Sequence, residues 1–284
     1  METARTIADL RASLATWRKV GERIGLVPTM GALHAGHIAL AAAARDACDR
    51  VVATIFVNPK QFAPSEDLSA YPRREAADLD MLRSAGVDLT FVPAAAEIYP
   101  AQFSTLVRVG GLSEGLCGAH RAGHFDGVAT VVAKLLIQSL PDIAYFGEKD
   151  YQQLLVIRRL ARDLDLPVKI EGVPTVREPD GLALSSRNAY LSREERGIAP
   201  NLARVLRYVA ATLEREPAAV ARATERGRAE LTRAGFGVEY LEIRDAETLA
   251  PMIDIVIAPA RVLAAAHLGR TRLIDNMLIV PYTG

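Results

Sequence analysis

Ile24-Gly-Leu-Val-Pro-Thr-Met-Gly-Ala-Leu-His-Ala-Gly-His37, running on into Ile38-Ala-Leu-Ala-Ala-Ala-Ala-Arg-Asp-Ala-Cys48, joins a β-rich apolar run to a helix-forming run through a turn. The turn carries two glycines and two histidines. The same strand-then-helix unit recurs outward from it. Further apolar runs lie at 51–57, 87–92, 143–146 and 168–173. Between them Phe125, Val128, Val132, Leu135 and Leu136 repeat at helical spacing, as do Tyr151, Leu154, Leu155 and Leu160. Such alternation predicts βαβ units around a mostly parallel sheet, an α/β doubly wound, Rossmann-like domain over residues 1–174. Two stretches without periodicity, 58–72 and 110–123, interrupt it, and loops of that length in a compact domain are commonly functional.

After Pro174 the texture changes. A turn-rich passage over 177–188 leads to Ser192, and Glu195 three residues on completes a capping box. Ile198, Leu202, Val205, Leu206, Val209 and Leu213 then form one apolar stripe. A helix over 218–234 and short strands at 238–243, 261–266 and 272–276 complete a smaller α+β domain, residues 175–284. The chain has 284 residues, long enough for two domains.

Charge and composition narrow the function. Thirty-four basic residues balance thirty-four acidic ones, so no general field draws in nucleic acid. Half the residues are apolar, yet no run of about 18 uncharged apolar residues could span a bilayer. Residues 1–20 lack the apolar core of a secretory signal. Two cysteines, Cys48 and Cys117, are too few for a disulfide framework and favour a reducing, cytoplasmic setting.

Three segments carry candidate chemistry. His34 and His37 sit where a helix begins, and unpaired N–H groups with a partial positive charge there suit a phosphate chain. Gly31 and Gly36 let a nucleotide approach the backbone. Phe146-Gly-Glu-Lys-Asp-Tyr-Gln-Gln153 again follows a strand, and Lys149 would give a polyphosphate its cation. Gly181-Leu-Ala-Leu-Ser-Ser-Arg-Asn188, at the domain junction, offers two hydroxyls and a guanidinium to phosphate oxygens. Other signals point elsewhere. Gly111-Leu-Ser-Glu-Gly115 matches a nucleophile elbow, but residues 116–123 are too glycine-rich for the helix that motif needs. Cys117, His120 and His124 are spaced like zinc ligands but lack a fourth. No dinucleotide fingerprint and no P-loop occurs.

Taken with Phe56-Val-Asn-Pro-Lys-Gln-Phe62, Tyr71-Pro-Arg73 and Gly123-His-Phe125, these segments, in this order and over essentially the whole chain, resemble the pantothenate synthetase (pantoate–beta-alanine ligase) family. The H-x-G-H tag is shared with the wider nucleotidyltransferase group, whereas Asn-Pro-x-Gln-Phe and Gly-Glu-Lys-Asp-Tyr-Gln-Gln are specific. The resemblance implies that pantoate reacts with ATP to a pantoyl adenylate and pyrophosphate, and that β-alanine then displaces AMP. It implies a nucleotide- and pantoate-binding first domain. By matching position, His34, His37, Lys149, Ser185, Ser186 and Arg187 are the catalytic set. Met30, Gly31, Gly36, Gly147, Asp150, Val176 and Leu184 join them around ATP, with Val176 near the adenine. Gln61 and Gln153 match the glutamines that hold pantoate, and Gln61 also lies by the β-alanine position. Mg²⁺, a homodimer and Asp78 as a carboxylate near the metal belong to the same expectation. Ala122, where the family commonly has proline, implies a looser loop. Another H-x-G-H nucleotidyltransferase acting on a small phosphorylated substrate and a non-catalytic nucleotide sensor are the competing readings.

Overall fold

The computed structural model describes residues 1–62, 68 and 71–281. They run β1 (Glu2–Ala4), α1 (Ile7–Lys19), β2 (Ile24–Val27), α2 (Ala35–Ala47), β3 (Arg50–Thr54), a 3₁₀ turn (Pro59–Gln61), α3 (Glu75–Ser84) and β4 (Leu89–Phe91). There follow α4 (Ala95–Ile98), α5 (Cys117–His120), α6 (His124–Ser139), β5 (Ile143–Gly147), α7 (Tyr151–Asp163) and β6 (Lys169–Val173). The remainder is α8 (Arg193–Ile198), α9 (Asn201–Arg215), α10 (Val220–Arg233), β7 (Gly237–Asp245), β8 (Ala260–Leu268) and β9 (Thr271–Ile279).

The chain divides into two compact units: residues 1–148 with 152–174, and residues 149–151 with 175–284. In the first, the strands form one parallel sheet in the order β1-β4-β3-β2-β5-β6. Strands that read as unbroken apolar runs are those covered on both faces, and every residue of β2 is buried. The order reverses between β2 and β5. Right-handed connections therefore place α2 and α3 on one face and α1 and α6 on the other. Leu40, Ala41, Ala44 and Cys48 of the α2 segment pack with Val27, Val51, Ala53 and Tyr145 into one core.

In the second unit β7, β8 and β9 form an antiparallel meander. The α9 stripe (Leu202, Val205, Leu206, Val209, Leu213) is buried with Val262, Ala264 and Ala266 of β8. The Ser192–Glu195 capping box is present: Glu195 N donates to Ser192 Oγ at 3.1 Å and Ser192 N to Glu195 Oε2 at 2.7 Å.

Three local readings are corrected. The stripe begun at Ile198 belongs to two helices, because Pro200 has no N–H to continue the ladder and α9 starts after it. Residues 116–123 do hold a helical turn, α5, since a glycine is what the crowding there requires: a Cβ on Gly118 would lie 1.7 Å from Ser113 O. No strand precedes it, so the elbow reading still fails. Finally, the sheet has a strand that no sequence pattern marks, β1, whose three residues complete it beside β4 and are too short a run to show a period. The long stretch 58–72 lies partly outside the described residues.

Candidate active site

The turn after β2 is fastened from below. Thr29 N donates to Thr54 Oγ1 (3.1 Å), Gly31 N to Thr29 Oγ1 (3.1 Å) and Phe56 N to Thr29 O (3.0 Å), tying the end of β2 to the end of β3. Gly31 and Ala32 are both left-handed, at φ 78° and 51°. Alanine there costs about 1–2 kcal/mol. Asp78 offsets the strain: its Oδ2 accepts from Ala32 N (2.8 Å) and its Oδ1 from Leu33 N (2.9 Å). Asp78, 3% exposed on α3, thus clamps this turn.

The two histidines cap α2 with each other's backbone. His34 Nδ1 accepts from Gly36 N (3.1 Å), and His37 Nδ1 accepts from His34 N (3.3 Å). A neutral imidazole has one N–H, so both Nδ1 acceptors place the proton on Nε2. The rings lie 4.1 Å apart, and α2 has no acidic residue in its first turn. The result is a helix N-terminus with two imidazole donors at its mouth. Both rings are half-buried, so His37 is not the solvent-facing residue a turn position suggests.

Gln61 joins this turn: its Nε2 lies 3.0 Å from Met30 Sδ. Its orientation is fixed by Asn58, 1% exposed, whose Nδ2 donates to Gln61 Oε1 (3.0 Å) and Gly127 O (3.0 Å). Asn58 Oδ1 accepts from Tyr99 Oη (2.8 Å) and Lys60 N (3.3 Å), so every polar atom of the amide is used. Burial raises the Tyr99 phenol well above its ordinary range and keeps it a donor. Gln61 therefore presents its NH₂ beside Met30. A cavity of about 330 Å³ opens at the carboxyl ends of β2, β3 and β4, lined among others by Met30, Gly31, Ile55, Phe56 and Asp78. In open α/β sheets this end is where ligands bind.

Of the paired glutamines, Gln152 is the structural one. Buried at the start of α7, it accepts from Cys117 N (3.0 Å) and donates to Leu112 O (2.9 Å) and Gly115 O (2.8 Å), pinning the 110–118 loop. Gln153 is half-buried on the same turn, and Gly147 closes β5. Nothing in a Gln-Gln dipeptide shows which member faces inward; the phase of α7 decides it. Cys117 is buried on α5, His120 is exposed and His124 binds Gln61 O, and among the described residues no three His, Cys, Asp or Glu groups are placed to hold a metal.

The remaining candidates belong to the second unit. Lys149, 17% exposed, has its Nζ 3.7 Å from Asp150 Oδ2, and its carbonyl accepts from Asn276 Nδ2 (3.1 Å). Val176 O accepts from Leu184 N (3.0 Å), and Arg177 pairs bidentately with buried Asp275 at 2.7 and 2.9 Å, closing a hairpin. Ser185 caps the 3₁₀ turn Ser186–Tyr190 by accepting from Arg187 N at 3.3 Å. The side chains of Ser185, Ser186 and Arg187 are half-buried.

A doubly wound sheet with a histidine-capped helix at its reversal point defines a nucleotide-binding enzyme of the H-x-G-H type. The family model for pantoate-beta-alanine ligase matches residues 2–278, and the chain belongs to that family. Over 98% of its length it is 57% identical to a pantothenate synthetase of Paramagnetospirillum magneticum, covering 97% of that protein. The solved pantothenate synthetase of Thermus thermophilus superposes with a TM-score of 0.93 at 50% identity, over 99% of this chain and 100% of that one. The pantoate-beta-alanine ligase of Francisella tularensis, solved with β,γ-ATP and β-alanine, gives 0.82 at 34% identity, over 98% and 97%. The family's activity is the ATP-dependent condensation of pantoate with β-alanine, a ligase reaction. Among the described residues no helix is long and apolar enough to cross a membrane.

Proposed function

We propose that this chain condenses (R)-pantoate with β-alanine through a pantoyl adenylate, with His34, His37, Lys149, Ser185, Ser186 and Arg187 acting on the ATP phosphates and Gln61 and Gln153 on pantoate. The observation that carries the reading is the contact of Gln61 Nε2 with Met30, which puts an oriented amide donor beside the histidine-capped helix. Pantoate's carboxylate is already ionised near neutral pH, so the first step needs no general base. Its oxygen attacks the α-phosphorus, the bond to the pyrophosphate oxygen breaks, and the electron pair leaves with pyrophosphate. The charge that grows on these oxygens is met by donors fixed beforehand, the His34 and His37 Nε2–H groups and the Lys149 ammonium. The free amine of β-alanine then attacks the acyl carbon, AMP leaves with the C–O electron pair, and the nitrogen gives up one proton to solvent as the amide forms.

Mg²⁺ is expected with ATP, and among the described residues no three His, Cys, Asp or Glu groups are placed to cage it. Both oxygens of Asp78 hold backbone N–H groups, and the Asp150 carboxylate lies by Lys149. The ion is commonly carried by substrate phosphates and water, and no step is assigned to it. Gly31 and Gly36, and Met30, Gly147, Asp150, Val176 and Leu184, are assigned to the nucleotide. Residues 1–174 serve nucleotide and pantoate, and 175–284 carry Ser185–Arg187. The setting is the cytoplasm and the assembly a homodimer.

Isotope exchange between pyrophosphate and ATP, run with pantoate, tests the assignment. Gln61→Glu keeps the acceptor for Asn58 but replaces the donor with a charge facing pantoate's carboxylate. An unpaired buried partner costs ~1–3 kcal/mol, so pantoate KM should rise about tenfold or more while ATP binding holds. Exchange at the wild-type rate, or weakened ATP with unaltered pantoate, would refute the pantoate assignment.

A further inference from the structure

His124 is 9% exposed at the first position of α6, where its ring meets groups from two directions. Arg121 Nη1 lies 2.9 Å from His124 Nε2, and His124 Nδ1 lies 2.9 Å from the carbonyl oxygen of Gln61. A guanidinium has donors only, so Nε2 must be the acceptor in the first contact. The proton of the neutral ring is then on Nδ1, where it is donated to Gln61 O. Arg121 Nη2 reaches the same carbonyl at 3.5 Å. Three residues further along α6, Gly127 brings helix and 3₁₀ turn into direct backbone contact: a Cβ there would lie 2.1 Å from Lys60 O and 2.7 Å from Gln61 N. The carbonyl of Gly127 also accepts from Asn58 Nδ2.

From this we infer that His124 is a positioning residue for pantoate: held in its neutral Nδ1–H form by Arg121, it locks the Gln61 main chain while Asn58 locks its side chain. The inference rests on the assignment of Gln61 to pantoate. With the carbonyl fixed by His124 and the amide oxygen by Asn58, the Gln61 NH₂ has one direction left, toward Met30. A glutamine otherwise loses considerable rotamer freedom on ordering, and here that cost is met before substrate arrives. His124 itself touches no reacting atom in this scheme. The tautomer is the reverse of that in His34 and His37, so the three histidines are distinguishable by which nitrogen carries the proton.

Two measurements test it. Long-range ¹H–¹⁵N correlation of the imidazoles, assigned with a His124→Asn variant, should show protonated Nδ1 for His124 near neutral pH; a protonated Nε2 would overturn the proposal whatever Gln61 does. In kinetics, His124→Phe keeps a planar ring but no donor, and pantoate KM should rise about tenfold with ATP KM and the melting midpoint near wild type. His124→Asn, whose amide N–H stands where Nδ1–H does, should recover most of that loss. Equal rises in both KM values, or no recovery by a folded His124→Asn protein, would mean a merely structural role. Gln61→Ala measured alongside separates the two readings. If it raises pantoate KM and His124→Phe does not, the positioning role alone fails; if neither moves, the Gln61 assignment fails and takes the inference with it.

Discussion

The two units hold their candidate residues by different physics. In the first, the groups that hold Gln61 are mostly neutral and at least half-buried: the Asn58 amide, the Tyr99 hydroxyl, the His124 ring and the bare backbone of Gly127, with the Arg121 guanidinium the one charged member. In the second, the hairpin leading to Ser185–Arg187 is held by ions. Arg177 pairs with Asp275, and Arg196 reaches Glu178 and Asp180, each at 2.6 Å. Asp275 is buried, but Arg196 and Asp180 have side chains 32% and 40% exposed. Neutral hydrogen bonds out of water respond little to salt, whereas ion pairs near the surface are screened and contribute only about 0–1 kcal/mol. On the proposed function, the Gln61 pocket assigned to the small acid is preset, and the hairpin assigned to phosphate is held by contacts that salt weakens.

The largest effects should come from the donors themselves, whichever unit supplies them. Alanine at His37 or at Lys149 should each cost ~10²–10³ in kcat, about 2.7–4 kcal/mol, with little change in melting midpoint. Steady-state kinetics on both variants measures how the work is shared. A Lys149→Ala enzyme with near-normal kcat would confine the chemistry to the first unit and break the comparison. Next comes Gly127→Ala. Its new Cβ would meet backbone of the 3₁₀ turn, which cannot swing aside as a side chain does, so about 1–3 kcal/mol of stability should be lost. Pantoate KM should rise more than ATP KM, and equal changes in the two would show that the preset pocket is not local to Gln61.

The smallest effect is a pH dependence at Asp180. Its hydrogen bond from Arg196 holds the carboxyl below the usual carboxylate range, against an opposing contribution from burial and with help from Leu182 N–H. A carboxyl lowered in the folded state stabilises above its unfolded value near ~3.9, and that stability is lost as pH falls through the lower folded value. For so exposed a group the amount is below about 1 kcal/mol. Denaturation of wild type and Asp180→Asn should therefore differ slightly at pH 6, and the difference should shrink as pH falls below ~3.9. Adding salt at pH 6 should shrink the difference as well. A gap that does not shrink as pH falls below ~3.9 would remove the ion pair as its cause.

What the chain determined by itself is whatever depends on short-range pattern. Apolar runs and helical spacing are local properties, so β2 to β6 and α2, α6 and α7 lie where residues 24–28, 51–57, 143–146 and the Phe125 and Tyr151 series predict. The H-x-G-H turn is legible for the same reason: strand, glycine and helix are contiguous. The capping box at Ser192 needs only three residues' separation. Tertiary structure alone decided the rest, because those partners are remote in sequence. Asp78 meets Ala32 and Leu33 across more than forty residues, and no spacing rule distinguishes such a clamp from a metal ligand. His124 carries a histidine's usual ambiguity until Arg121 and the Gln61 carbonyl fix its proton. Gln152 and Gln153 are adjacent and chemically identical, and only the packing of α7 against the 110–118 loop turned one inward and left the other half-exposed.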